Sequence, residues 1–73
     1  MSVLRNRFGK RLRQIRRQKD ITQEQLAEAV GISPTFLSNM ERGINGPSFD
    51  ILQKLAEVLQ VPEKDFFDFP EEK

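Results

Sequence analysis

The sequence predicts an all-α fold, a compact bundle of four to five helices, on three observations. Apolar residues recur at intervals of three and four along most of the chain, which is the period of a helix with one buried face. Residue types that favour helix starts and helix ends separate these segments. No segment alternates apolar and polar residues as a half-buried strand does. The length of 73 residues predicts a single domain over residues 1–73.

The first two helices follow from the first 31 residues. The first is expected from about residue 3 to residue 18. Its apolar stripe consists of Leu4, Phe8, Leu12 and Ile15. The second covers residues 22–30, where Thr22 is placed to cap the helix and Gln25 completes a capping box. Gly31 ends this helix, because glycine takes the left-handed conformation at low cost. The inner face of the second helix consists of Leu26, Ala27 and Val30.

The third helix follows after a very short turn. Ser33 is its expected cap, and Pro34 stands at the first helical position, where the missing N–H does no harm. The inner face consists of Phe36, Leu37 and Met40. Gly43 stops the helix. Only residues 31–33 separate the second and third helices, so we expect a sharp angle between them.

The remaining chain predicts a fourth helix and a short fifth one. Residues 44–47 form a loop with an Asn-Gly turn, and Ser48 caps the fourth helix. Its apolar residues are Ile51, Leu52, Leu55, Ala56, Val58 and Leu59. Since this helix is the most apolar, we expect it to be the central one. The segment PEKDFF predicts a short helix, and the acidic tail, residues 68–73, is expected to be frayed.

Composition excludes several classes of protein. The chain has no cysteine, which excludes disulfides, and no histidine, which is the commonest metal ligand and general base. It has no glycine-rich phosphate loop, so an enzyme is not expected. No apolar run approaches the ~20 residues of a membrane span, and no apolar signal core follows the basic first residues. We therefore expect a cytoplasmic protein with no cofactor, no metal and no membrane partner.

Charge is divided unevenly along the chain, although the net charge is only +1. Residues 1–19 hold eight cations and no acid, whereas residues 62–73 hold five acids and two bases. The positive end is a candidate for binding a polyanion. The charge distribution by itself does not distinguish this interpretation from a first helix that simply has a charged face in contact with solvent. Binding to a membrane surface is a weaker alternative, because the apolar stripe of this helix is needed for the core.

The third helix carries polar residues on the side opposite its apolar face. These residues are Thr35, Ser38, Asn39 and Arg42. Two short helices joined by a three-residue glycine turn, over about residues 22–42, are typical of a helix-turn-helix, whose second helix enters the DNA major groove. Asn39 can pair with adenine, Arg42 with guanine or a phosphate, and the two hydroxyls with several bases. The alternative is an ordinary solvated helix face.

Three blocks of sequence add a resemblance to a known family. These are RLRQIRRQKDITQEQLAEAVGIS, LSNMERG and PSFDILQKLAEVLQV. From Phe8 to Phe66 the chain resembles the phage-repressor-like helix-turn-helix family, the Cro and XRE group of regulators. The resemblance implies a lambda-repressor-like bundle that binds duplex DNA, usually as a symmetric dimer.

The resemblance also implies roles for individual residues. It places Thr35, Ser38 and Asn39 on the base-reading face, together with Pro34, which can touch a thymine methyl but cannot make a side-chain hydrogen bond. We expect Arg42 to add a further base contact. The expected phosphate contacts are Thr22, Gln23, Ser33, Asn45, Gly46, Ser48, Arg11 and Lys19.

Two features of the resemblance concern structure alone. Arg16 and Glu41 match a partly buried ion pair that ties the first helix to the third. Gln60 stands where relatives often have glycine, and Pro62 stands where they often have a capping side chain. We therefore expect an unusual end to the fourth helix and an uncapped start to the fifth.

Three phenylalanines cluster in the acidic C-terminal segment. Phe66, Phe67 and Phe69 are our candidates for a dimer interface, with Phe66 also the best candidate for a core position. The alternative is one core residue and two scattered exposed aromatics. A symmetric DNA site favours the interface, because it needs two recognition helices about 34 Å apart.

Together these observations predict a sequence-specific regulator of transcription that binds a palindromic operator in double-stranded DNA as a homodimer. A chain of this kind is similar to restriction-modification controllers and to compact phage-type repressors. The alternative from another class is a protein-interaction module, such as an antitoxin that binds a protein partner through its tail, with DNA binding secondary.

Overall fold

The computed structural model describes residues 3–69 and contains, within them, four α-helices, one 3-10 helix and no strand. The elements are α1 (Val3–Gln18), α2 (Gln23–Val30), α3 (Pro34–Glu41), α4 (Phe49–Leu59) and the 3-10 helix Glu63–Phe67. The all-α prediction is confirmed. Of the expected frayed tail, Asp68 and Phe69 are described and are not helical, while residues 70–73 lie outside the described residues.

The helix starts are fixed by the predicted caps. Thr22 Oγ1 accepts from the Gln25 N–H at 3.1 Å, and Gln25 Oε1 accepts from the Thr22 N–H at 2.9 Å, which completes the capping box. The hydroxyl of Ser33 accepts from the Phe36 N–H, and that of Ser48 accepts from the Ile51 N–H. Each cap satisfies donors that the first turn of a helix leaves unpaired.

The helix ends use left-handed residues, and two of these are not glycine. Positive φ angles occur at Asp20, Gly31, Gly43 and Gln60. Gln60 has φ 59°, and the Val61 N–H reaches back to the Ala56 carbonyl at 3.1 Å. The helix therefore ends in the same way as with glycine, at a cost of about 1 kcal/mol for the side chain. Pro62 makes no side-chain cap, and the element after it is only a 3-10 helix.

The main packing contacts form a closed ring around one core. α1 packs against α3 and the 3-10 helix, α3 against α2, α2 against α4, and α4 against the 3-10 helix. The buried core consists of Phe8, Leu12, Ile15, Leu26, Ala27, Val30, Leu37, Met40, Leu55, Ala56, Leu59 and Phe66. The prediction that the fourth helix is central is wrong, because every element has two principal neighbours and α4 is one member of the ring.

Some predicted core residues are only partly buried. Leu4 is 55% exposed, because it lies one turn before the part of α1 that α3 covers. The partly buried residues packed against the core include Phe36, Ile51, Leu52 and Val58. α1 and α4 thus carry more apolar residues on their inner faces than the core encloses.

Gly9 brings α1 into direct contact with the backbone of α3. A Cβ at this position would lie 2.3 Å from the Met40 carbonyl oxygen and 2.7 Å from the Glu41 carbonyl oxygen. Gly43 makes a similar close approach, since a Cβ there would lie 2.9 Å from Asn6 Cα. These glycines set the spacing of the two helices, and the sequence patterns did not reveal the role of Gly9.

Candidate nucleic-acid interface

α2 and α3 are joined by a turn of three residues, 31–33, and each of them makes a hydrogen bond that fixes the turn. Gly31 adopts φ 89°, and its N–H and that of Ile32 both donate to the Ala27 carbonyl, at 2.8 and 3.0 Å. Ser33 is extended and caps α3. A Cβ at Gly31 would meet no atom within 4 Å, so glycine is favoured there by its conformation alone. The turn holds α3 in a fixed orientation relative to α2.

α3 has a buried side and a polar outer side. Leu37, Met40 and Glu41 are buried. On the outer side, Pro34, Thr35 and Arg42 are exposed, and Ser38 and Asn39 are half-buried. The side chains of Thr35, Ser38, Asn39 and Arg42 make no hydrogen bond to any residue in the range 3–69. The predicted base-reading residues therefore present unused donors and acceptors on one short helix.

Arg16 and Glu41 form a buried ion pair behind this surface. Arg16 Nε donates to Glu41 Oε2 at 2.6 Å, and Arg16 Nη2 donates to Glu41 Oε1 at 3.1 Å. Arg16 is 8% exposed and Glu41 6%. Arg16 Nη1 donates to the Ile21 carbonyl, and Gln23 Nε2 donates to Glu41 Oε1 at 3.0 Å. This network ties α1 and the start of α2 to the end of α3.

Three predicted phosphate contacts are hydroxyls at helix starts. Thr22, Ser33 and Ser48 are exposed, and each oxygen accepts one backbone N–H of its own helix. A hydroxyl that accepts a hydrogen bond keeps its own hydrogen, which can be donated to a phosphate oxygen. The positive ends of α2, α3 and α4 add to the attraction for an anion.

Gln23, Arg11 and Lys19 differ from one another in their freedom to reach DNA. Gln23 directs its amide nitrogen to Glu41, since an ionised carboxylate only accepts. Arg11 is engaged elsewhere: its Nε donates to the Asp65 carbonyl at 2.8 Å and its Nη1 to Gln14. Lys19 is exposed at the end of α1. Arg11 is therefore held against the 3-10 helix through the Asp65 carbonyl.

The loop of residues 44–48 is fastened to the end of α3. The N–H groups of Ile44 and Asn45 both point to the Asn39 carbonyl, at 2.9 and 3.4 Å. Arg5 lies beside the exposed Gly46, where a Cβ would be 3.5 Å from Arg5 Cγ. Arg5 is one of the eight cations of residues 1–19, but the sequence patterns did not single it out as a neighbour of this loop. It stands four residues before Gly9 and therefore shares its face of α1.

The three aromatic candidates for an interface have different surroundings. Phe66 is fully buried in the core, so its assignment to a dimer interface is wrong. Phe67 is 41% exposed and packs on Phe8 with ring centroids 5.6 Å apart. Phe69 is half-buried, and the Arg7 guanidinium lies 5.5 Å from its ring centroid.

A second group of exposed apolar residues adjoins Phe67. Phe49 is 89% exposed, and it lines one shallow groove together with Leu4, Phe67 and the half-buried Leu52. We call Leu4, Phe49 and Phe67 the apolar patch. The sequence patterns missed Phe49 because it occupies the first turn of α4, outside the apolar stripe.

Two kinds of site are absent from the described part of the chain. No three acidic residues within residues 3–69 come together as a group that could hold a metal ion. None of the helices formed there has the length and apolar character that a membrane crossing requires.

Comparison with known proteins gives consistent matches. The family model described as helix-turn-helix matches residues 12–66. The control protein C.BamHI of Bacillus amyloliquefaciens is 40% identical over 63 residues, which cover 85% of this chain and 78% of that protein.

Two solved structures share the architecture. The restriction-modification controller protein C.AhdI from Aeromonas hydrophila superposes with a TM-score of 0.83 and 33% identity, covering 86% of this chain and 96% of that one. The biofilm master regulator SinR, a Bacillus subtilis protein solved in complex with DNA, superposes with a TM-score of 0.78 and 34% identity, covering 84% and 98%.

Proposed function

Since the chain belongs to the helix-turn-helix (HTH_3) family, we propose that it regulates transcription by binding a palindromic operator in double-stranded DNA as a homodimer. α3 enters the major groove, and the exposed polar side of this helix reads the bases. The protein acts in the cytoplasm and works by occupying its operator.

The observation that carries this proposal is the unpaired polar face of α3. Asn39 offers one acceptor and two donors, which match the N7 and N6 edge of adenine. Arg42 offers a fork of donors for guanine or a phosphate. Pro34 has no side-chain donor or acceptor, so it favours a thymine methyl at its position. A surface used only for solubility would more often carry charged residues, whereas three of the four polar side chains here, Thr35, Ser38 and Asn39, are neutral.

Phosphate contacts fix the position of α3 in the groove. The hydroxyls of Thr22, Ser33 and Ser48 and the backbone of Asn45 and Gly46 are suited to this task. Gln23 is the first residue of α2, so its position places it where the helix N-terminus meets a phosphate. Lys19 adds charge, whereas Arg11 is left out because its guanidinium is bound to Asp65 and Gln14.

Replacement of Asn39 with alanine tests base reading directly. Wild type and variant are each used to select bound duplexes from a random DNA library at physiological salt. We expect the wild type to select a palindrome, and the variant to lose preference at one base of each half-site, by about 1–3 kcal/mol.

The Gln53→Ala variant is the matched control, because it removes an exposed amide from α4 instead of α3. It should select the wild-type motif unchanged. A lack of any enriched motif in the wild type, with binding that only weakens as salt rises, would contradict sequence-specific recognition.

The apolar patch is the proposed dimer interface. Two copies that place Leu4, Phe49 and Phe67 against each other would bury side chains that are now 41–89% exposed. Phe69 lies beside Phe67, with ring centroids 6.3 Å apart, and extends the same surface. A two-fold arrangement of this kind is the commonest form of homodimer.

The Phe67→Asp variant is expected to give a folded monomer, because a carboxylate at the centre of the patch would be desolvated without a partner. Sedimentation velocity measures the mass, and circular dichroism checks that the helices remain. Ile44→Asp is the control, since it puts the same charge on a similarly exposed apolar residue outside the patch. A Phe67→Asp protein with the mass of the wild-type dimer would refute the assignment.

A further inference from the structure

The loop between α3 and α4 contains the one Asn-Gly pair of the sequence, Asn45 followed by Gly46. We propose that Asn45 is a site of spontaneous deamidation, and that its conversion to aspartate or isoaspartate switches off DNA binding. The loop would then limit the working life of the regulator.

The reaction needs only water. The Gly46 N–H loses its proton, and the nitrogen attacks Asn45 Cγ, so that a new N–C bond closes a five-membered succinimide ring. The bond from Cγ to Nδ2 breaks, and ammonia leaves with the proton. Water then adds to one of the two ring carbonyls and breaks a ring C–N bond. Opening on one side gives aspartate, and opening on the other gives isoaspartate.

The local structure leaves both reacting groups available. Neither residue lies in a helix; Gly46 is exposed and Asn45 is half-buried. Among the described residues, the Gly46 N–H and the Asn45 side chain have no hydrogen-bond partner. Glycine has no Cβ that would hinder the approach of its nitrogen to Cγ.

The other asparagines lack these conditions. Asn6 lies within α1 and Asn39 within α3. In a helix the following peptide group is held by the i to i−4 hydrogen bonds and cannot rotate towards the side chain. These two residues are therefore internal controls for the reaction at Asn45.

Arg5 adds an electrostatic reason for reaction at this position. Its Cγ, Nε and Cδ lie 3.5 to 3.8 Å from the place that a Cβ of Gly46 would occupy. The Arg5 guanidinium nitrogen Nε thus lies close to the Gly46 backbone. A nearby cation stabilises the anion that forms when the Gly46 N–H loses its proton. A larger fraction of the Gly46 nitrogen is therefore in the reactive anionic form than in a free Asn-Gly peptide, and the attack on Asn45 Cγ is faster.

The effect on DNA binding rests on the proposed function. Asn45 is one of the proposed phosphate contacts, so a new carboxylate there would repel the DNA backbone. Isoaspartate also adds one backbone methylene between the end of α3 and Ser48, and it would disturb the bond from the Asn45 N–H to the Asn39 carbonyl. Both products weaken binding, and isoaspartate does so through geometry as well as charge.

Ageing of the purified protein tests the site. Wild type and Gly46→Ala are incubated at neutral and at mildly acidic pH, and peptide mapping by mass spectrometry locates aspartate and isoaspartate. The alanine is tolerated, because its Cβ would meet only Arg5 side-chain atoms at ordinary contact distance and Gly46 has no positive φ. We expect conversion at Asn45 alone, faster at neutral pH, and at least about tenfold slower in the variant.

DNA affinity tests the consequence on the same samples. Fresh wild type must bind its selected operator, which is the test of the proposed function itself. Aged wild type and a fresh Asn45→Asp variant are expected to bind at least about tenfold more weakly than fresh wild type. Aged Gly46→Ala is compared only with fresh Gly46→Ala, and these two samples should bind equally well, because Gly46 is itself a proposed phosphate contact and its replacement can change the starting affinity. Absence of conversion at Asn45 would overturn the site. Full conversion with unchanged affinity would overturn the switch while leaving operator binding intact.

Discussion

Replacement of Glu41 with alanine is expected to lower the free energy of unfolding by about 3 kcal/mol, which is a large part of the stability of a domain this small. The loss arises because the Arg16 guanidinium would stay buried between α1 and α3 with its main counter-charge gone. The Gln23 amide would lose its acceptor as well. Urea unfolding followed by circular dichroism measures the change.

Glu57→Ala is the matched control, since it removes the same carboxylate from an exposed position of α4. It should change stability by no more than about 0.5 kcal/mol. A double variant in which Arg16 becomes methionine and Glu41 alanine is expected to recover part of the loss, because no charge remains buried. A Glu41→Ala protein with the wild-type urea midpoint would show that the pair does not stabilise the fold.

Replacement of Gly9 with alanine is expected to destabilise the protein by about 3 kcal/mol, although alanine is the better helix former. The new Cβ would lie 2.3 Å from the Met40 carbonyl oxygen, which belongs to the backbone of α3 and cannot rotate away. α1 must therefore move away from α3, and this movement also stretches the Arg16–Glu41 pair.

The Gly46→Ala variant makes the same chemical change where a Cβ has room, so thermal unfolding of the two variants isolates the effect of the contact with α3. The Gly46 variant should differ from the wild type by no more than about 1 kcal/mol. If Gly9→Ala instead raised the melting temperature, helix propensity would dominate, and the close approach of the two helices would not be a constraint.

The secondary structure was predictable because its determinants are local. Thr22 and Gln25 are three residues apart, and Ser33 and Ser48 each bind a backbone N–H three residues later. Side chains so close in the sequence meet whatever the rest of the chain does. The polar face of α3 was predictable for the same reason, since helical spacing alone puts these residues opposite the apolar ones.

The errors all concern contacts between distant parts of the chain. Arg11 was expected to contact phosphate, and the sequence did not reveal that its Nε donates to the Asp65 carbonyl, 54 residues away. Leu4 has the helical spacing of a core residue, yet more than half of its side chain is exposed at the edge of the groove beside Phe49 and Phe67. Phe66, Phe67 and Phe69 have similar local sequence, and only the ring of helices decides that one is buried and two reach the surface.

The sequence by itself determined the four α-helices, their caps and the polar outer face of α3, because hydrogen bonds within a helix and the helical period depend on residues a few positions apart. The tertiary structure alone decided which apolar residues enter the core, where the cations of α1 point, and how closely Gly9 lets α1 approach α3. These features depend on contacts between residues far apart in the sequence, and such contacts exist only when all the helices are packed together.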